Sequence, residues 1–335
     1  MGRHTYRIRE IAVQAGLSEA TVDRVLNKRG NVRASTEREV YRAIADLDRQ
    51  HFLVDVVMQT PERFSTAVRS ALEAELPTLR PAVIRARFHF RETGTTAEVV
   101  GTLDRLPGKR SQGVILKAPA VPEVAAAAAR LADAGIPVVT LVTDIPGSGR
   151  LAYIGMDNRA AGATAAYLLS QWLHDRPGAV LVTLSSTAFR GEEEREIGFR
   201  DTMSRLQPDR RLVDVTEGAG LDDTQYRLVL AALTEDPQIR AVYSIGGGNV
   251  ATVAAFDALG RPCPVFIGHD LDHDNTRLLR DRRLSAVLHH DLNEDMRRAC
   301  QIIMQAHKVL PGPIVAWPSN IHVITPYNVP GRPVR

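Results

Sequence analysis

Ile11-Ala12-Val13-Gln14-Ala15-Gly16-Leu17-Ser18-Glu19-Ala20-Thr21-Val22-Asp23-Arg24-Val25-Leu26-Asn27 is the stretch whose reading decides the fold. Ile8, Ile11, Ala12 and Ala15 recur at the i, i+3, i+4, i+7 spacing of one helical face, so a short first helix buries that face. Gly16 ends it, because a glycine after the last periodic residue takes the left-handed backbone that closes a helix, and the apolar Leu17 pins the turn. Ser18 is placed to cap a second helix, its hydroxyl accepting from free N–H groups of the first turn. Val22, Val25 and Leu26 form that helix's inward stripe. Its opposite face carries Glu19, Ala20, Thr21, Asp23, Arg24 and Asn27, which are short or polar and open to an outside partner. A third helix is expected from about Ala34, with Val40, Ile44 and Leu47 facing in. Together these make an all-α helix-turn-helix headpiece over residues 1–50.

The charge distribution points the same way. The formal net charge of the 335 residues is +3. Residues 1–50 hold ten Lys and Arg against seven Asp and Glu, so the whole excess sits in the headpiece and the remainder is formally neutral. That is the distribution expected if the headpiece alone faces phosphates. Cys263 and Cys300 are the only cysteines, neither has metal-motif spacing, and so few thiols fit a reducing cytosol. Charge from Arg3 onward without an apolar run gives no export signal, and no stretch has the length of a membrane span. The expectation is a soluble cytoplasmic protein.

Beyond Leu47 the sequence Asp48-Arg49-Gln50-His51 runs almost directly into Phe52-Leu53-Val54-Asp55-Val56-Val57-Met58, a first strand. From there strands and helices alternate as in a parallel sheet with crossovers. Strands are expected at 53–58, 83–90, 113–116, 138–142, 179–184, 211–215, 241–245, 265–267 and 285–288. Helices are expected at 61–79, 95–106, 122–134, 158–173, 192–206, 223–233, 249–259, 272–281 and 293–305. Residues 51–335 thus read as two doubly wound parallel-sheet lobes, with chain crossings near Met156, Asp270 and Leu288.

Ile-Ala-x-x-Ala-Gly-Leu-Ser-x-x-Thr-Val-x-Arg-Val-Leu-Asn, with Val32 and Thr36-x-x-x-Val40 following, resembles the DNA-binding domain of the lac repressor (LacI/GalR) family. Tyr153-Ile-Gly-Met-Asp157-Asn158, Arg195-Glu-Ile-Gly198-Phe199, Val265-Phe-Ile-Gly268-His269-Asp270 and Ser285-Ala-Val-Leu-His-His290-Asp291 resemble the type I periplasmic binding protein fold that this family uses as its effector domain. The resemblance implies a transcriptional regulator, most often a repressor, that acts as a homodimer or larger even oligomer on pseudo-palindromic double-stranded operator DNA. It also implies control by a small sugar-like effector, with no membrane partner and no cofactor. Family members continue past the headpiece with a Tyr-x-Pro-Asn segment and a hinge helix whose leucine enters the minor groove. That segment is missing here, so minor-groove insertion and a folding hinge helix are not expected.

On the reading helix, Glu19 and Ala20 match positions that contact base edges in the family. Arg24 is expected at guanine or a nearby phosphate, and Thr21 at phosphate or a thymine methyl. Asp23 stands where the family commonly has a small hydroxyl; it is expected to accept from cytosine N4 or to hold Arg24 or another basic residue. Asn31 and Arg33 should position the DNA backbone, and Arg7, Ser18 and Asn27 complete the DNA-facing set.

In open α/β sheets, ligands sit beyond the carboxyl ends of strands. That rule selects Thr60, Phe64, Lys117, Asp144, Asn158, Ser185, Arg195, Asn249, Asp270 and His290. The resemblance points to the same loops, with Asp144, Asn158, Arg195, Asp270 and His290 at positions that bind ligand hydroxyls in sugar-binding members. Arg195 has an alternative use in an ion pair with Glu192 or Glu194, and Lys117 suits an anionic ligand or plain solvent. Low aromatic content favours a monosaccharide, polyol or sugar acid over a large stacked ligand. The His269-Asp270-Leu-Asp272-His273-Asp274 and His289-His290-Asp291 clusters have metal-ligand residue types, but acids opening a helix stabilise its N-terminus without any metal. Gly246-Gly247-Gly248 lacks P-loop and dinucleotide spacing, and no nucleophile elbow occurs. A binding module is expected in place of a solute receptor or a sugar-modifying enzyme.

Overall fold

The computed structural model describes residues 6–30, 32–174, 176–216, 218 and 220–331. Three helices form the headpiece: α1 (Ile8–Ala15), α2 (Glu19–Leu26) and α3 (Ala34–Gln50). Gly16 closes α1 at φ 65°, and the Ser18 side chain accepts from Thr21 N at 3.2 Å to open α2. Ile11, Ala12, Val22, Val25, Val40, Ala43 and Leu47 are buried together with Tyr6, while Ile8 and Ile44 pack partly buried against them. The periodic stripes therefore meet, which is what stabilises helices too short to stand alone in water.

No residue separates headpiece from body. Helix α3 ends at Gln50 and strand β1 (His51–Gln59) begins at the next residue. His51 turns extended, its N–H bonds back to Leu47 O, and its ring packs 5.4 Å from that of Tyr6. The connector expected at 48–52 is thus the last turn of a helix and the first residues of a strand.

The first lobe is a parallel sheet in the order β2-β1-β3-β4-β5, with β2 (Val83–Arg91), β3 (Gly113–Lys117), β4 (Val138–Leu141) and β5 (Ala152–Ile154). Helices α4 (Glu62–Glu75), α5 (Thr96–Asp104) and α6 (Pro122–Asp133) link its strands. Val54, Val56 and Met58 of β1 join the core under α4, whereas Val57 points to the core shared with α5 and α6. Coverage of both faces explains why Val114, Ile115 and Leu116 of β3 form an unbroken apolar run and why all four residues of β4 are buried.

The second lobe contains α7 (Asn158–Leu173), β6 (Ala179–Thr183), α8 (Arg190–Leu206), β7 (Leu212–Val215), α9 (Asp222–Glu235), β8 (Ile239–Ser244), α10 (Asn249–Ala258), β9 (Val265–His269), α11 (His273–Arg280) and β10 (Ala286–His289). Helix α12 (Leu292–Ala306) then returns to the first lobe, where Met296, Ala299, Cys300 and Ile303 enter its core. A last strand, β11 (His322–Ile324), closes the second sheet, β11-β10-β9-β8-β6-β7, and pairs antiparallel with β10.

Two details differ from the sequence reading. The three-residue strands β5 and β11 were not expected, being too short to give a periodic signal. The chain crosses between lobes near Met156, at His290–Asp291 and near Ser319; Asp270 is no crossing, since β9 and α11 both belong to the second lobe. Among the described residues no helix is long and apolar enough to cross a membrane.

Helices α7 and α8 meet backbone to backbone at two glycines. A Cβ on Gly162 would lie 1.9 Å from Arg195 O, and one on Gly198 would lie 2.1 Å from Arg159 O. Gly198→Ala should therefore destabilise the protein by about 1–3 kcal/mol through overpacking, read as a lower urea midpoint; an unchanged midpoint would mean that these helices separate freely.

Candidate functional site

Two surfaces carry chemistry. On the headpiece, Glu19, Ala20, Arg24 and Asn27 are exposed along one face of α2, with Thr21 and Asp23 half-exposed beside them. An eight-residue helix is about 12 Å long, and the B-DNA major groove is about 12 Å wide. Ser18 Oγ contacts Thr21 Oγ1 at 2.8 Å, so the hydroxyl that caps α2 also fixes its neighbour. Asp23 accepts from Asn27 Nδ2 at 2.7 Å and lies 3.9 Å from Arg29, so its basic partner is Arg29 rather than Arg24. Arg24 is left exposed. Arg7 and Arg33 are exposed at the starts of α1 and α3, whereas Asn31 lies outside the described residues.

In the body, a cavity of ≈ 540 Å³ opens at the carboxyl ends of the strands and is lined by both lobes. Of the ten residues expected there, Thr60, Phe64, Lys117, Ser185, Arg195 and Asp270 line it. Asp144, Asn158, Asn249 and His290 do not, and each has a structural partner. Arg150 binds Asp144 through its guanidinium, with Thr140 Oγ1 donating at 2.9 Å and Ile145 N at 2.8 Å. Asn158 donates to Val142 O at 3.1 Å and accepts from Arg195 Nε at 2.8 Å, so it orients the arginine from behind. Asn249 Nδ2 donates to Asn275 Oδ1 at 2.7 Å. His290, fully buried, is bonded through Nδ1 to Asp295, and its Nε2 lies 3.8 Å from Asp270 Oδ1.

Arg195 does not form the surface ion pair that its sequence neighbours suggest. It is 3% exposed, and Glu194 pairs instead with Arg190. Glu192 is turned back to accept from Ser185 N at 2.8 Å and from the Ser185 hydroxyl. The sequence reading also missed Arg63, Phe189, His269, Asp272 and Asn275, all in the cavity wall. Arg63 donates to Gly220 O at 2.9 Å and sits 3.5 Å from Asp272, joining α4 of the first lobe to the second. Their signal was positional only: several stand at or near the first turns of helices that follow cavity loops.

Electrostatics follow from burial. Lys117 is pulled down to about 8 by desolvation, opposed by Glu192 and Asp270. Asp272 is pushed up to about 6 by burial, opposed by the Asn275 N–H and Arg63. Two non-glycine residues in the wall hold left-handed backbone, Val142 at φ 64° and Asp270 at φ 64°. For a β-branched residue this is strained. The Val142 conformation closes a tight turn from Thr143 N to Leu141 O at 2.6 Å, and the Val142 carbonyl is held by Asn158 and by Tyr153 OH at 3.1 Å. Asn275 Nδ2 holds the Asp270 carbonyl at 2.7 Å. Strain fixed in this way by its surroundings is typical of binding sites.

Among the described residues, Arg195 Nη2 and Asp270 Oδ1 are buried without a hydrogen-bond partner. Such groups are costly unless something satisfies them, and both belong to residues of the cavity wall. The arrangement can hold a small molecule that offers both an acceptor and a donor. The metal-type residues are used otherwise: His269 is buried against the Tyr243 hydroxyl at 2.9 Å, and His289 Nδ1 accepts from Leu271 N at 3.1 Å.

Comparison with known proteins places these features. Residues 7–48 match the family model for bacterial regulatory proteins of the lacI family, and residues 55–308 match that for a periplasmic binding protein domain. No curated protein sequence matches the chain. Among solved structures, a glucose-galactose binding protein from Geobacillus stearothermophilus superposes with a TM-score of 0.73 at 20% identity, over 84% of this chain and 98% of its own. A Bacteroides fragilis protein assigned as a LacI transcriptional regulator gives 0.72 at 19% identity, over 84% and 98%. A solute binding protein from Burkholderia graminis in complex with D-arabinose gives 0.73 at 19%, over 84% and 97%.

The Asp144 carboxyl provides a test of its structural placement. Burial alone would raise its pKa, but the hydrogen bonds from Arg150 and Thr140 outweigh it and hold it below the usual range. A group lowered in the fold contributes stability above its unfolded pKa, and that stability is lost as pH falls through the folded value. Asp144→Asn should thus cost roughly 1–2 kcal/mol at neutral pH, with the gap from wild type closing in acid. A pH series of urea titrations reads this directly, and a gap that widens on acidification would contradict the placement.

Proposed function

This chain belongs to the periplasmic binding protein domain family and carries the DNA-binding domain of lacI-family bacterial regulators, and from that premise we propose that it is a cytoplasmic repressor whose operator affinity is set by a small sugar-like effector. The observation that carries the reading is the joining, in one chain, of an exposed reading helix to an interlobe cavity whose buried Arg195 Nη2 and Asp270 Oδ1 lack hydrogen-bond partners among the described residues. In the proposed homodimer, two α2 helices enter successive major grooves of a pseudo-palindromic operator, about 34–36 Å apart. Arg24 reads guanine or phosphate, Glu19 and Ala20 face base edges, and Thr21, Asn27, Arg7 and Arg33 support the register. Asp23 acts on this surface through Asn27 and Arg29.

Effector binding acts without a hinge helix. Thr60, Phe64, Lys117, Ser185, Arg195 and Asp270 come from both lobes, so a ligand touching all of them favours the closed arrangement by its differential affinity. The headpiece is continuous with β1, so it moves with the first lobe, and the spacing of the two headpieces changes with the lobe angle.

Two experiments test this reading. Arg24→Ala should weaken operator binding at least about tenfold, the scale of a lost bidentate base contact, with the effector thermal shift intact; Asp270→Ala should abolish the thermal shift and leave operator binding in place. Unchanged operator affinity in Arg24→Ala would sink the DNA assignment. Inserting a flexible Gly-Ser segment between Gln50 and His51 should preserve both binding activities and remove the effect of one on the other, measured by operator titration with and without effector. Regulation that survives the insertion would refute the rigid coupling.

A further inference from the structure

Lys117 ends β3 at the cavity wall, its ammonium 4.5 Å from the Phe189 ring centroid and 5.9 Å from that of Phe64. It donates to Gln59 O at 3.3 Å, and among the described residues it forms no salt bridge with a carboxylate. Ring faces attract a cation without neutralising it, so its charge stays available to the cavity. Arg195 repeats the pattern. Among the described residues its guanidinium bonds only to neutral acceptors, Asn158 Oδ1 at 2.8 Å and Ile245 O at 3.4 Å, and Nη2 has no hydrogen-bond partner. Arg63, by contrast, is matched by Asp272 at 3.5 Å.

The cavity's acids are disposed differently. Glu192 accepts from Ser185 N and Oγ, Glu92 accepts from Glu62 N at 2.6 Å, and Asp272 caps α11 through Asn275 N at 2.7 Å. Of the acids in the wall, Asp270 alone keeps a buried oxygen, Oδ1, with no hydrogen bond among the described residues. The wall therefore presents two cations without carboxylate partners and one carboxylate, Asp270, whose inner oxygen faces His290 Nε2 at 3.8 Å, beyond hydrogen-bond reach. A neutral sugar satisfies Asp270 through a hydroxyl but leaves the two cations without an anion in contact, their charge offset only through space by Glu192 and Asp270, a costly state for buried charge.

We propose that the effector is a polyhydroxy acid of the sugar-acid class, its carboxylate held by Lys117 with Arg195 and a hydroxyl held by Asp270. This rests on the reading that the interlobe cavity takes the effector, and it narrows that effector to an anion. Burial already draws the Lys117 ammonium down to about 8, so an anion at contact relieves a charge that the fold holds at a cost. Phe64 and Phe189 supply apolar faces for the ligand's C–H groups beside the same ammonium.

The test is calorimetric titration of the full-length protein with D-gluconate, D-glucuronate and D-galacturonate against their uncharged counterparts D-glucitol, D-glucose and D-galactose. At least one acid should bind about tenfold or more tighter than its counterpart, the worth of a charge-assisted contact. Lys117→Met, which keeps the length of the side chain and removes its charge, should reduce that preference to within about threefold. Equal or tighter binding of the neutral compound by the wild-type protein overturns the inference, as does an undiminished preference in a folded Lys117→Met protein. Should the neutral compounds bind and the acids fail, the sugar-effector reading stands and this one falls; should none bind, both fall.

Discussion

The carboxylate of Asp295 is the interaction on which the two-lobed arrangement turns. It is completely buried on α12, where an unmatched charge could not be tolerated. One oxygen accepts from His290 Nδ1, at the second crossing between lobes, and the other from Ser319 Oγ at 2.6 Å, at the third. Ser319 N in turn donates to Gly155 O at 2.8 Å beside the first crossing. One buried group thus ties together all three segments that join the lobes, and because α12 packs in the first lobe's core, the junction is anchored to that lobe. The far side of His290 faces Asp270 at 3.8 Å. Occupancy of the cavity at Asp270 is therefore one residue removed from the hinge.

The same geometry explains how the cavity depends on lobe position. Ala120 N donates to Ala188 O at 2.8 Å, Gly191 N to Thr143 Oγ1 at 3.0 Å and Arg63 Nη2 to Gly220 O at 2.9 Å, each bond running between lobes. Lys117 and Phe64 come from one side, Phe189, Arg195 and Asp270 from the other. Parting the lobes would stretch each of these bonds, so a ligand that bridges the lobes would favour the same state as they do. A ligand reaching only one lobe would shift nothing, because it would bind open and closed arrangements alike.

What the sequence made legible follows from the range of each signal. The headpiece is built on i, i+3 and i+4 spacing, one glycine and one capping serine, all local, and the helices form where those signals place them. The alternation of the body is local as well. The crossings are not: the return of α12 is set by Met296 and Ile303 entering the core that α4 covers, and β11 by its pairing with β10, contacts far apart in the chain. At the cavity, the strand-end rule selects a position and not a direction. Asp144 and Asp270 both follow apolar strands, but Arg150, six residues on, turns Asp144 away, whereas Asp270 Oδ1 meets only His290 Nε2 among the described residues, at 3.8 Å and without a hydrogen bond. Arg195 was ambiguous because its acidic neighbours are close in sequence, and burial of its face of α8 decides the matter. Phe189 and Asp272 gave no sequence signal beyond their place before helices.

The direct fusion of α3 to β1 carries the last step. A 17-residue helix spans about 25 Å, and nine strand residues add about 30 Å, so one continuous α3–β1 path leads from the reading head at one end to Thr60 in the cavity wall at the other. Tyr6 packed on His51 stiffens the junction at its midpoint. A hinge helix transmits by folding and unfolding; a rigid path transmits by angle. In the proposed dimer, a change of about 10° at the base of a ~25 Å arm moves its tip by roughly 4 Å, more than the length of the hydrogen bonds that read a base edge. A modest lobe rotation is then sufficient to take one reading helix out of register while its partner stays engaged, and no order–disorder transition is needed to switch the protein.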